Sequence, residues 1–99
     1  MPAPTVPADA IALLARTGPR HVINYLVKHP DSYYGDIREA TNASVSSLTR
    51  DLRLLEEIGV VRTDVNQPVG ARRGRAPRYT VDVERIHSLI DQLRAQLLD

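Results

Sequence analysis

A mainly α domain carrying one small β-hairpin is the fold class this sequence predicts, and three observations predict it. Apolar residues recur at helical spacing in five stretches between Ala8 and Leu98. Two short runs rich in β-branched residues, Val60–Asp64 and Arg78–Val81, flank a segment punctuated by Asn66, Pro68, Gly70, Gly74 and Pro77. The length of 99 residues leaves room for one core and no second.

Residues 1–7 hold three prolines and are expected to form a disordered tail ahead of a single domain over residues 8–99. They lack a charged stretch followed by an apolar one, so they do not read as a signal peptide. A first helix opens at Ala8 or Asp9 and runs through Arg16, with Ile11, Leu14 and Leu13 on its buried side. Thr17-Gly18 breaks it. Pro19 suits the first turn of a second helix, Pro19 to Lys28, where Val22, Ile23, Leu26 and Val27 make an apolar stripe. Pro30 ends that helix. Asp31 and Ser32 are candidate caps for a third, from Tyr33 or Tyr34 to Thr41, with Tyr34, Ile37 and Ala40 inward.

Thr41-Asn42-Ala43-Ser44 is a short polar turn. Ser44 is a good N-cap, its hydroxyl within reach of the free amides of Ser46 or Ser47. The fourth helix, Val45 to Ile58, turns Leu48, Leu52 and Leu55 inward and stops at Gly59, which suits the left-handed position after a helix. The strand pair follows, joined by a long loop; loops of this length are usually functional or mobile. A last helix runs from Asp82 to Leu98. Its Val83, Ile86, Ile90, Leu93 and Leu97 follow a 3-4-3-4 spacing, a heptad seam that suits pairing with its twin or with the first helix.

Composition narrows the function. The chain has no cysteine, which excludes disulfides and thiolate metal sites. No apolar run approaches membrane-spanning length, so a soluble cytoplasmic protein is expected. Net charge is only +1, but it is unevenly spread: residues 44–80 hold seven arginines against four acids, and residues 81–99 two against four. Twelve of the thirteen bases are arginine, whose planar fork suits phosphate and guanine.

Polar helix, strand, basic loop, strand is the order in which a winged helix-turn-helix meets a DNA duplex. With the leucines inward, Val45, Ser46, Thr49, Arg50 and Arg53 fall on the outer side of the fourth helix. Arg50 is the candidate for a bidentate guanine contact, and Val45 for a thymine methyl. Ser46 and Thr49 can reach bases or phosphates, Ser47 and Arg53 are expected on phosphate, and the Ser44 cap is a further DNA-binding candidate. In the loop, Arg72, Arg73 and Arg75 sit beside glycines with no acid nearby in sequence, and are expected to enter the minor groove or track the backbone. Arg78 opens the return strand and is expected to contact phosphate or lie flat. Tyr33 is a further phosphate-contact candidate through its hydroxyl, and Tyr79 is expected at the base of the wing.

The run from Asp36-Ile37-Arg38-Glu39-Ala40-Thr41 to Gly59-Val60-Val61 resembles the helix-turn-helix of ArsR-type and MarR-like winged-helix regulators. The matching residues are Ser44, Thr49-Arg50, Leu52, Leu55-Glu56 and Gly59-Val60-Val61, together with the basic run Arg75 to Val81. In one place the chain departs: Asn42-Ala43 stands where those families often carry Gly-Leu or Gly-Ile. Asn also tolerates the left-handed conformation, so the turn is retained. The resemblance implies a homodimer joined through the first and last helices, with Ile11 and Leu14 adding to the Val83, Ile86, Ile90, Leu93 and Leu97 seam. It implies a repressor on a pseudo-palindromic operator, its half-sites about one helical turn apart. A bacterial or phage-like source is expected, with the protein on the nucleoid when bound.

Other classes fare worse. His87 and Asp91 share a helix face, yet near the helix end only Asp99 remains to complete a set, so four-ligand zinc is not expected. His21 and His29 read as surface residues. No cofactor and no small-molecule effector is indicated, and no arrangement of nucleophile and base, phosphate loop or metal motif suggests an enzyme. The alternatives are a winged helix that binds other proteins, or an architectural DNA-binding protein of a mobile element.

Overall fold

A computed structural model describes residues 8–64 and 76–99. The expected tail and the three wing arginines Arg72, Arg73 and Arg75 lie outside the described residues. Among those described, five helices and three short strands follow one another: α1 Ala8–Leu14, α2 Thr17–Lys28, β1 Ser32–Tyr33, α3 Tyr34–Thr41, α4 Val45–Glu57, β2 Val61–Thr63, β3 Arg78–Val81 and α5 Val83–Leu98. The mainly helical class and the strand pair appear as expected.

Local chemistry accounts for most boundaries. Ser44 takes the Ser47 amide on its Oγ at 3.2 Å and so opens α4. Asn42 closes α3 in the left-handed conformation, at φ 53°. Gly59, at φ 79°, ends α4: its own amide reaches Glu56 O and the Val60 amide reaches Leu55 O, both at 3.0 Å. This double bond pattern satisfies carbonyls that the helix end leaves without partners. Asp82 caps α5 by accepting from the Arg85 amide at 3.1 Å.

Three expectations need correction. α2 starts at Thr17, not Pro19; proline lacks an amide hydrogen, but any position in the first turn tolerates that. Neither Asp31 nor Ser32 caps α3. Ser32 Oγ donates to His29 O at 2.6 Å, and Asp31 Oδ1 accepts from Thr80 Oγ1 at 2.8 Å, because Ser32 opens a strand and Asp31 is the turn residue before it. The hairpin is therefore a three-stranded antiparallel sheet, ordered β1-β3-β2, with Tyr33 opposite Arg78 and Arg62 opposite Thr80.

The core gathers Leu13, Val22, Leu26, Ile37, Leu48, Leu52, Leu55, Val60, Val61, Tyr79, Val81 and Leu89. On α1 Ala10 and Leu13 are buried, while Ile11 is exposed and Leu14 half-buried. On α2, Val22 and Leu26 are buried and Val27 is exposed; on α3, Ile37 is buried and Ala40 exposed. Real helix faces are narrower than the stripes read from the sequence.

Candidate nucleic-acid interface

The outer side of α4 is the best-defined part of the candidate interface. Its seat is made by Leu48, Leu52 and Leu55, all buried. Those three residues leave Val45, Ser46, Thr49, Arg50 and Arg53 exposed, and Ser44 before them. Ser47 is half-buried, and its amide donates to the Ser44 cap. Val45 keeps 52% of its surface open, an apolar patch at the tip of a polar helix. The first turn of α4 contains no acid. The helix N-terminus therefore keeps its partial positive charge unopposed, which favours an approaching phosphate.

Tyr34 holds this helix in place. Its hydroxyl donates to Val45 O at 3.1 Å and shares a 3.0 Å hydrogen bond with Thr49 Oγ1. One phenol thus pins the start of α4 to α3 and orients the Thr49 hydroxyl. Arg38 Nε donates to Ala43 O at 3.3 Å and steadies the turn between the two helices. Sequence reading assigned Tyr34 to the core by periodicity alone, and neither bond was legible without knowing how α3 crosses α4.

The sheet places Arg78 and Tyr33 side by side on adjacent strands. Tyr33 is exposed. Arg78 is engaged by its own chain: its Nε donates to Asp64 Oδ2 at 3.0 Å and its amide to Asp64 Oδ1 at 2.8 Å. The Asp64 carboxylate raises the Arg78 guanidinium above its ordinary range, by hydrogen bond first and charge second. Asp64 and Arg78 thus close the base of the loop between them. Arg62, which the sequence reading passed over, is exposed on the same outer face of the sheet as Arg78, Thr80 and Tyr33. The signal for it was alternation: it lies between the buried Val61 and the half-buried Thr63.

The seam of α5 divides. Ile86 and Leu93 are half-buried against the body, whereas Val83, Ile90 and Leu97 keep 44%, 48% and 73% of their surface open. Leu89, outside the expected heptad, is the residue that anchors α5 to the core, at 2% exposed. Arg85 adds a second anchor, its Nε donating to Ile58 O at 2.9 Å and capping the end of α4. A cavity of about 500 Å3 opens between α1, the end of α4 and the start of α5, with Arg16, Leu54 and Arg85 on its walls. Among the described residues no helix is long and apolar enough to cross a membrane, and no three histidines or acids gather as a metal site.

No family model matches this chain, and no curated protein matches it. The solved structure of a "possible transcriptional regulator" from Methanosarcina mazei Go1 superposes on 88% of this chain and 77% of its own, at a TM-score of 0.61 and 16% sequence identity. At that identity the likeness is one of fold. With the helix order and the antiparallel sheet, it makes this a winged helix-turn-helix domain.

Proposed function

We propose that this chain is a sequence-specific, double-stranded DNA-binding transcriptional regulator of the cytoplasm, acting as a homodimeric repressor on a pseudo-palindromic operator. The observation that carries the reading is the outer side of α4: Val45, Ser46, Thr49, Arg50 and Arg53 are exposed on a helix whose first turn has no acid. A helix of this width fits the major groove with its N-terminal residues on base edges. In this reading Arg50 takes a guanine, Val45 a thymine methyl, and Ser44, Ser47, Arg53 and Tyr33 the backbone. Arg72, Arg73 and Arg75 supply the wing, and Arg78 holds its base through Asp64. The domain in the M. mazei structure carries a regulator's name on the same fold, which favours the reading.

Two copies pair in this reading through the open apolar residues of α5, Val83, Ile90 and Leu97, joined by Ile11 and Leu14 of α1. Exposed apolar side chains at a seven-residue interval are costly to leave in water, and a twofold partner buries both rows at once.

Selection of bound duplexes from a random pool, then titration of single-base variants, tests this. Arg50→Ala is expected to lose about 1–3 kcal/mol of discrimination at one base position. Equal weakening on random DNA would reject the guanine contact. A wild-type protein that ignored every duplex at low ionic strength would reject the whole reading, since phosphate contacts are strongest there.

A further inference from the structure

We infer that Asp51 is a positioning residue for base reading: its buried carboxylate, 3.9 Å from Arg50 Nε, draws that guanidinium toward the helix by charge and leaves the two terminal nitrogens for the groove. The inference rests on the reading of α4 as the DNA-reading helix and names a residue that reading does not use.

Asp51 lies on the inward side of α4, between Leu48 and Leu52, and is only 4% exposed. Its Oδ1 is buried and accepts no hydrogen bond among the described residues. Two guanidinium groups face that oxygen, Arg16 Nη2 at 3.5 Å and Arg50 Nε at 3.9 Å. The other oxygen presses on the start of α2, where a Cβ on Gly18 would lie 2.7 Å from Oδ2. The carboxylate is therefore hemmed in by α2 on one side and by arginines on the other. A buried carboxylate is expensive to keep unless it is paired, and an apolar residue would suit its neighbours better. Arg16 supplies a counter-charge from the α1–α2 corner. Oδ1 also lies within 3.9 Å of Nε of Arg50, the one side chain of α4 assigned to read a base.

Arginine carries its five donors in a rigid planar fork. Drawing Nε toward the helix confines the rotamers of the long stem, yet the Nη1/Nη2 edge stays free for an end-on contact with O6 and N7 of guanine. The Arg50 side chain is 56% exposed, as a tethered but outward guanidinium should be. Confinement before binding lowers the ordering entropy that a free arginine would lose in the groove. Arg53, one turn along the same helix, has no such carboxylate partner among the described residues, which makes it an internal control.

The test compares Asp51→Asn, which keeps the shape and removes the charge, with Arg50→Ala and with the double variant. Asp51→Asn is expected to lower discrimination at the Arg50-read base by about fivefold or more, with binding to random duplex unchanged. In the Arg50→Ala background the same change should add nothing to the loss. A merely structural Asp51 would instead weaken all sequences alike, and equally in both backgrounds; that result overturns the inference. If Arg50→Ala shows no base-specific effect, the reading of α4 falls and this inference with it. If Arg50→Ala shows the effect and Asp51→Asn does not, only the role of Asp51 falls. Should Asp51→Asn not fold, side-chain NMR of the free wild-type protein decides: the Arg50 Nε–H vector should be more ordered than that of Arg53, and equal mobility overturns the tether.

Discussion

Gly59 shows how much one residue decides. Its φ of 79° belongs to the left-handed region, which an L side chain enters only with strain. A Cβ there would meet nothing nearer than Arg85 Nε at 3.5 Å, an ordinary contact, so space is not the obstacle. Gly59→Ala should therefore destabilise the domain by about 1–2 kcal/mol through backbone strain alone, read as a lower denaturant midpoint with an unchanged slope. Gly59, Asn42 and the Ser44 cap were legible in the sequence because each acts within a few residues of its own backbone. Asp51 was not. Its spacing, three after Leu48 and four before Leu55, put it on the inward side, but a lone acid among leucines says nothing of the arginine opposite. Arg16 is 35 positions away and meets it only when the start of α2 packs on α4.

Elements were legible to the extent that periodicity governs them. α4 emerged within one residue of its expected end, since the leucine spacing and both caps agree. The strand β1 escaped, being two residues long and held by pairing with β3 across more than forty positions. α5 was found in full, but its faces were only half read. The 3-4-3-4 pattern drew attention to Ile86 and Ile90 and away from Leu89, which lies between them and carries the anchorage. Leu89→Ala is expected to lose about 2–5 kcal/mol of stability by leaving a cavity under α5, measurable by thermal or denaturant unfolding. A loss below 1 kcal/mol would mean that α5 is held chiefly by Arg85 and its contact with Ile58 O.

At the scale of the molecule, the described residues form an elongated body of 47 × 27 × 22 Å. It carries an exposed apolar row on α5 and a polar, acid-poor helix start on α4. Ile90 stands in the middle of that row, at 48% exposed. Ile90→Glu is expected to give monomers by sedimentation or light scattering at micromolar concentration while leaving the fold intact, since Ile90 lies outside the core. Unchanged mass would place the dimer interface elsewhere. A monomer should also bind an operator far more weakly than the dimer, because one winged module buries only about 600–1,000 Å2 against DNA.

By itself the sequence determined the helical class, the α3-turn-α4 unit, the hairpin strands β2 and β3, and the side of α4 that faces outward. Each of these follows from rules that act locally: side-chain period, caps, and the conformational freedom of glycine and asparagine. Tertiary structure alone decided that Tyr34 bolts α3 to α4, that Asp64 occupies Arg78, that Leu89 rather than the heptad seats α5, and that a carboxylate lies buried behind Arg50. Those pairings join residues distant in the chain, and only the packing of whole elements brings their charges and hydrogen bonds into reach.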